Sequence, residues 1–248
     1  MTVERKFNFG GIVFSIASPI PLKEKTGFES FVENGDVIAD FTIEVRGEEG
    51  IGNGIRTLRN GDTIKAAVDS KYLSGITVTN LLSLANAAHF VIERDAFVLH
   101  SSHVSTDKGS ILFTAASGTG KSTQAAFWRR ARGAVTVNED RTLERRTADG
   151  YIACGCWATG SGDKCGNVTA PIRAIVMLRQ AESNYVREAR ASEIIRHVIP
   201  QCSFDETSVT SRVKLIDLVS GMIGRVPIVE LGCINDVSAV YELEKYIR

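Results

Sequence analysis

Residues 110–124 read Ser-Ile-Leu-Phe-Thr-Ala-Ala-Ser-Gly-Thr-Gly-Lys-Ser-Thr-Gln, and no other stretch of the chain constrains its fold so tightly. Ile111, Leu112 and Phe113 form an apolar run with the length and composition of a short buried strand. Gly118 and Gly120 permit a tight turn in which successive backbone N–H groups point inward at an anion. Lys121 adds a mobile positive charge for the outer phosphates of a nucleotide, and the Ser122 hydroxyl is placed to ligate magnesium. A helix from Ser122 to Ala131 turns its positive end toward the same phosphates. Ser117, Gly118, Thr119, Gly120, Lys121, Ser122 and Thr123 are therefore expected to bind nucleotide. The pattern G-x-x-x-x-G-K-[ST] places glycine at 115, and this chain has Ala115. A solvated strand-to-helix turn, the alternative, leaves two glycines and a lysine facing one point unexplained.

Composition narrows the remaining classes. The 248 residues are 44% hydrophobic and 23% charged, ordinary for a globular chain with a sizeable core. Lys and Arg total 29 and so do Asp and Glu, and this balance argues against a nucleic-acid footprint. The Arg129, Arg130, Arg132 cluster reads as a solvated helix end. No apolar run approaches the ~20 residues of a membrane span, and the first residues lack the apolar stretch of a secretory signal. The five cysteines are scattered. Cys154, Cys156 and Cys165 lie close together, but C-x-C followed by a lone cysteine is not a zinc spacing. Packing thiols and a cytoplasmic location are expected.

Along the chain, residues 1–78 form a β-rich N-terminal subdomain and residues 79–248 the core that carries the loop. Phe7, Phe9, Ile12, Phe14 and Ile16 alternate, as do Phe41, Ile43 and Val45, with breaks at Asn34-Gly35, Gly47–Gly54 and Asn60-Gly61. Thr79 to Phe90 reads as a helix capped by Thr79. A strand over 96–100 is expected to end at His100, and another over 134–137 to run into Asn138-Glu139-Asp140-Arg141. The expected fold class is α/β, a twisted sheet carrying the loop with helices packed on it.

A phosphate loop holds a nucleotide but does not define a reaction. Glu139 and Asp140, at the end of the next strand, could hold the metal or take a proton from an attacking hydroxyl; a turn capped by Asn138 and Asp140 is the bland alternative. His100 approaches the phosphates if its strand lies parallel beside the loop strand, and is otherwise, with His103, a polar strand edge.

These runs together resemble the HPr kinase/phosphorylase superfamily, whose nucleotide fold is shared with phosphoenolpyruvate carboxykinase. The resemblance rests on Leu99-His100-Ser101-Ser102-His103-Val104, Ile111 to Thr114, Ser117 to Thr123 and Asn138 to Arg141. It continues weakly through Trp157, residues 167–178 and residues 226–231, over roughly residues 80–245, and is strongest toward stand-alone homologues that keep the core. It implies magnesium-dependent phosphoryl transfer from ATP to a hydroxyl. By position, Lys121 would bind the outer phosphates, Ser122 the metal, and His100 would meet the phosphates. The paired aspartates of HPr kinases fall at Glu139 and Asp140, after one extra residue in the intervening segment. The first of that pair is the family's base; since it is Glu here, the base is assigned to Asp140 and metal or water duty to Glu139. The motif by which HPr kinases dock HPr is not recognisable.

The acceptor pocket is expected from the 155–167 loop, with His103, Arg141, Trp157, Lys164 and Asn167 facing a small polyol, sugar or amino acid. A peptide or protein serine, and a nucleotide-binding regulator without turnover, are the alternatives. Nucleotide preference and oligomeric state are left open.

Overall fold

The computed structural model describes residues 2–52, 54–158 and 165–247. Six strands make the first sheet: β1 (Val3–Phe9), β2 (Ile12–Ser18), β3 (Val32–Glu33), β4 (Phe41–Glu48), β5 (Ile55–Asn60) and β6 (Thr63–Asp69), in the order β3-β1-β2-β4-β6-β5. Gly10 and Gly11, at φ 60° and 84°, turn β1 into β2 with Phe9 opposite Ile12, the backbone hand that two-residue hairpins require. Alternation then sends Phe7, Phe9, Phe14 and Phe41 to one face, where Phe28 and Phe31 cover them.

Helices α1 (Val78–Leu84) and α2 (Ala87–Phe90) follow. The sequence predicts one helix over these residues. Asn86 breaks it in the left-handed region at φ 55°, a conformation asparagine tolerates better than most residues. The cap is Thr77, which accepts from Asn80 N at 3.1 Å, while Thr79 is buried.

The second sheet contains β7 (Ala96–Thr106), β8 (Gly109–Thr114), β9 (Val135–Asn138), β10 (Arg141–Thr147), β11 (Gly150–Cys154), β12 (Thr169–Gln180), β13 (Tyr185–Glu188), β14 (Cys202–Ser203) and β15 (Ile228–Cys233). Its main path is β11-β10-β7-β8-β12-β15-β13, with β9 and β14 paired to β7 and the first residues of β12 closing back on β11. The strands β8, β12 and β15 are parallel. Around them stand α3 (Lys121–Arg132), α4 (Ala191–Val198), α5 (Val209–Met222) and α6 (Ser238–Tyr246). Side chains of α3 and α6 pack with Ile111, Phe113 and Val176 on one face. Those of α4 and α5 pack with Leu99, Leu112 and Ile175 on the other.

The strand expected to stop at His100 runs on to Thr106 and returns through Asp107 and Lys108 as a hairpin, so β7 lies antiparallel to β8. The parallel neighbour assumed for His100 is therefore not what the chain builds. The N-terminal sheet does not close a core of its own: Phe9, Phe14 and Phe31 share one cluster with Leu81, Val98, Leu143, Cys154 and Trp157. Trp157 stands edge-on to Phe9 and Phe14, with ring centroids 5.1 and 5.7 Å apart. Each such fully buried aromatic contributes about 1.5–3 kcal/mol by area alone, which fastens the N-terminal sheet to β7, β10 and β11. Among the described residues no helix is long and apolar enough to cross a membrane.

Candidate functional site

Thr114 ends β8 and Lys121 begins α3, with residues 115–120 looped between them. Gly118 and Gly120 adopt φ 80° and 113° with open space where a Cβ would stand, so the need for glycine there is conformational, not steric. Ala115 has no positive φ, and its methyl is buried against the α3 and α6 layer. The backbone at this position therefore does not call for glycine. The Lys121 ammonium donates to Ala115 O at 2.9 Å and Ala116 O at 3.4 Å, which curls the side chain back over the loop. Ser122 and Thr123 lie exposed in the first turn of α3.

The antiparallel hairpin brings His100 to this loop. Ser101 pairs with Thr114, the last residue of β8, and the Thr114 hydroxyl donates to His100 O at 3.1 Å. Beyond that point the same side of β7 is taken by β14, with Cys202 opposite Leu99. His100 thus sits where β8 leaves the sheet and β14 takes its place. Gln201, just before β14, brings its Oε1 to 3.1 Å from His100 Nδ1. On the other side of β7, Arg141 pairs with His100. Glu139 and Asp140 form no capped turn: Asp140 O accepts from Ser101 N at 3.0 Å and Glu139 O from the Ser102 hydroxyl at 2.7 Å, holding the pair against β7. Asn138, expected as a turn cap, instead bonds Cys156 O and N at 2.9 and 3.2 Å.

Asp140 Oδ1 lies 3.3 Å from His100 Nε2 and its Oδ2 lies 3.5 Å from Arg141 Nε. Burial pushes His100 below its ordinary value, the Lys121 and Arg141 charges push the same way, and Asp140 and Gln201 oppose them. Lys121 is likewise lowered by burial and by Arg141, against the pull of Asp140. Lys121, His100, Asp140 and Arg141 therefore form one electrostatic unit around the loop. Glu139 is exposed at its rim. Among the described residues no group of three His, Cys, Asp or Glu side chains forms a metal site. The donors present, the Ser122 hydroxyl and the Glu139 carboxylate, are hard oxygens of the kind magnesium takes alongside water and phosphate.

The expected acceptor residues fare differently. His103 is not at the site: its ring is fully buried, Nε2 lies 2.8 Å from Ser110 Oγ, and desolvation lowers it to about 3. The reason is strand geometry, since residues three apart on a strand point to opposite faces. Asn167 donates to Ser30 O at 2.7 Å and so ties the loop to the N-terminal region. Trp157, expected to face an acceptor, is 1% exposed and serves the core, though one edge joins Arg141 in lining a cavity of about 290 Å³. Lys164 lies outside the described residues. Sequence reasoning missed Gln201 and His197, whose Nε2 lies 3.3 Å from Thr114 O. Both come from the α4–β14 segment, which carries no local motif.

A second cavity, about 410 Å³, opens on the opposite side of the loop, lined by Gly118, Gly120, Thr123, Gln124, Gln180 and Asn235 among others. It lies outside the carboxyl ends of the parallel strands β12 and β15, where open α/β sheets bind ligands. Gln124 is 2% exposed; its Nε2 donates to Cys233 Sγ at 3.5 Å and its Oε1 has no partner among the described residues. A cavity of about 430 Å³ beneath β15, at Arg173, Arg225 and Tyr246, is remote from these groups.

No protein-family model matches the chain, and no curated protein matches it. Among solved structures, the Hpr(Ser) kinase/phosphatase from Coxiella burnetii aligns with 16% identity and a TM-score of 0.28, covering 52% of this chain and 90% of that one. At those values the likeness carries no argument, and the chemistry rests on the residues themselves.

Proposed function

We propose that the protein is a phosphotransferase that moves the γ-phosphoryl group of ATP to an alcohol hydroxyl of a small molecule. The observation that supports this most directly is the position of the Asp140–His100 pair, 3.3 Å apart, beside a loop with two left-handed glycines and a lysine. The nucleoside lies in the cavity at Gln124, Gln180 and Asn235, and the phosphates follow the loop amides and the amino end of α3 toward Asp140.

Asp140 takes the proton of the acceptor hydroxyl as that oxygen bonds to the γ-phosphorus and the bond from the γ-phosphorus to the bridging oxygen breaks. The products are a phosphomonoester and a nucleoside diphosphate. Lys121 and His100 spread the developing charge, and Gln201 fixes the imidazole. Ser122 and Glu139 are the residues that would hold magnesium, which when bound neutralises phosphate charge.

The test is ATP consumption, with and without a pool of small hydroxyl compounds, for the wild type and Lys121→Ala. Turnover stimulated by the pool and nearly abolished in the variant is expected. Wild-type turnover in Lys121→Ala would remove the phosphate-loop assignment, and labelling confined to peptide or protein serines would replace the small acceptor by a macromolecular one.

A further inference from the structure

The cavity shared by Arg141 and Trp157 bears on which alcohol is used. Its wall includes Val98, Asn86, His89 and Ser203. On β7, Val98 and His100 are two residues apart and share a face, about 7 Å along the strand. On β10, Arg141 is paired with His100 and follows Asp140 directly in the chain. The cavity therefore begins beside the Asp140–His100 pair, on the side of the loop away from the nucleoside cavity.

Its chemistry is one-sided. Among the described residues no carboxylate lines it. Arg141 Nε lies 3.5 Å from Asp140 Oδ2, and among the described residues its two terminal nitrogens form no hydrogen bond. A guanidinium with a free fork at a cavity wall is suited to a bidentate anion. The other polar side chains are Ser83, Asn86, Ser203 and His89; burial holds His89 below its ordinary value, against the pull of the Asp205 charge. At roughly 30 Å³ per water-sized unit, the volume admits about ten non-hydrogen atoms.

We infer that this cavity is the acceptor subsite and that the acceptor is a small anionic alcohol, its carboxylate or phosphate paired with Arg141 and its free hydroxyl presented to Asp140. The assignment rests on the phosphotransferase reading above for the fate of the hydroxyl, but the anion subsite itself can be tested without turnover.

Four compounds with one carbon skeleton serve as probes: glycerate with its amide for the carboxylate arm, and glycerol 3-phosphate with glycerol for the phosphate arm. Calorimetric titration of the full chain should show one anion bound at least on the order of tenfold more tightly than its neutral match, the scale of one charge-assisted hydrogen-bonded pair. Whichever arm responds names the anion. Arg141→Gln should bring that ratio to about one, and Arg141→Lys should restore part of it. Ala88→Leu, which fills the cavity from α2 and leaves Arg141 in place, should weaken the preferred anion while ATP still binds. Equal binding of acid and amide and of phosphate and glycerol, no binding of any probe, or a ratio unchanged in Arg141→Gln would overturn the inference. Selective anion binding without phosphate transfer would uphold the subsite and refute the kinase reading.

Discussion

Replacing Asp140 by Asn separates shape from basicity at the centre of the site. The carboxylate stands between His100 Nε2 at 3.3 Å and Arg141 Nε at 3.5 Å. An amide of the same size keeps one acceptor oxygen for either neighbour and loses the ability to take a proton. General-base assistance is worth ~10²–10⁴ in rate, or about 2.7–5.4 kcal/mol of barrier. The substitution also deletes the negative charge that supports protonation of both Lys121 and His100. Both groups then titrate lower, so the alkaline limb of the variant's residual activity should move to lower pH. Steady-state kinetics across pH, with ATP affinity measured separately by titration, should show kcat down by that factor and nucleotide binding nearly kept. Glu139→Gln should instead weaken magnesium dependence and leave much of kcat. If Glu139→Gln abolishes turnover while Asp140→Asn remains active, Glu139 is the base and the roles are reversed.

Glu144 is fully buried on β10, neither carboxylate oxygen has a well-formed hydrogen bond, and desolvation holds it well above its usual range. The unfolded chain releases this proton as pH rises past about 4.5 and the folded chain does not, so stability falls above that pH; Glu144→Gln should flatten the fall in urea unfolding between pH 5 and 8. His103 acts in the opposite direction: with a folded value of about 3, it costs stability as pH drops below about 6.5, by up to ~1.4 kcal/mol per unit, and His103→Gln should reduce the loss between pH 7 and 5. Trp157→Ala should cost about 3–5 kcal/mol of stability, seen as a large drop in melting temperature; a normal melting temperature would mean that the ring does not fasten the two sheets. Gly155→Ala should be similarly disruptive, because its new Cβ would stand 1.9 Å from Gly166 O; wild-type expression and melting would contradict the close backbone approach.

Local structure was legible where it was confined to neighbours in sequence. The strand before residues 117–123, the two left-handed glycines and the helix that follows are as their order implies. His100 was singled out for a reason that did not hold: it does not end a strand, and the Asp107-Lys108 turn already implied a hairpin in which Ser101 would meet Thr114. His103 is expected at the acceptor and lies elsewhere for a different reason. Polar or aromatic character near a motif says nothing about which face of a sheet a side chain takes, and that is decided by alternation and by what covers each face. Gln201 and His197 could not be found at all, because what brings them to Thr114 and His100 is the insertion of β14 beside β7, a contact across about a hundred residues.

The pairing along β7 contains one uneven step. Thr136 faces Val104 and Asn138 faces His103, so Val137 is surplus; from there Arg141 faces His100 and Thr142 faces Leu99 in strict one-to-one step. Parity is therefore set at Val137. Residues added or lost at 133–134, between α3 and β9, change only the length of a connection. A single residue added or lost between Asn138 and Thr142 would exchange the two faces of everything after it. Leu143 would leave the core it shares with Trp157, and Arg141 would turn away from His100. The protein can vary in length one residue at a time at 133–134, but between Asn138 and Thr142 only in twos.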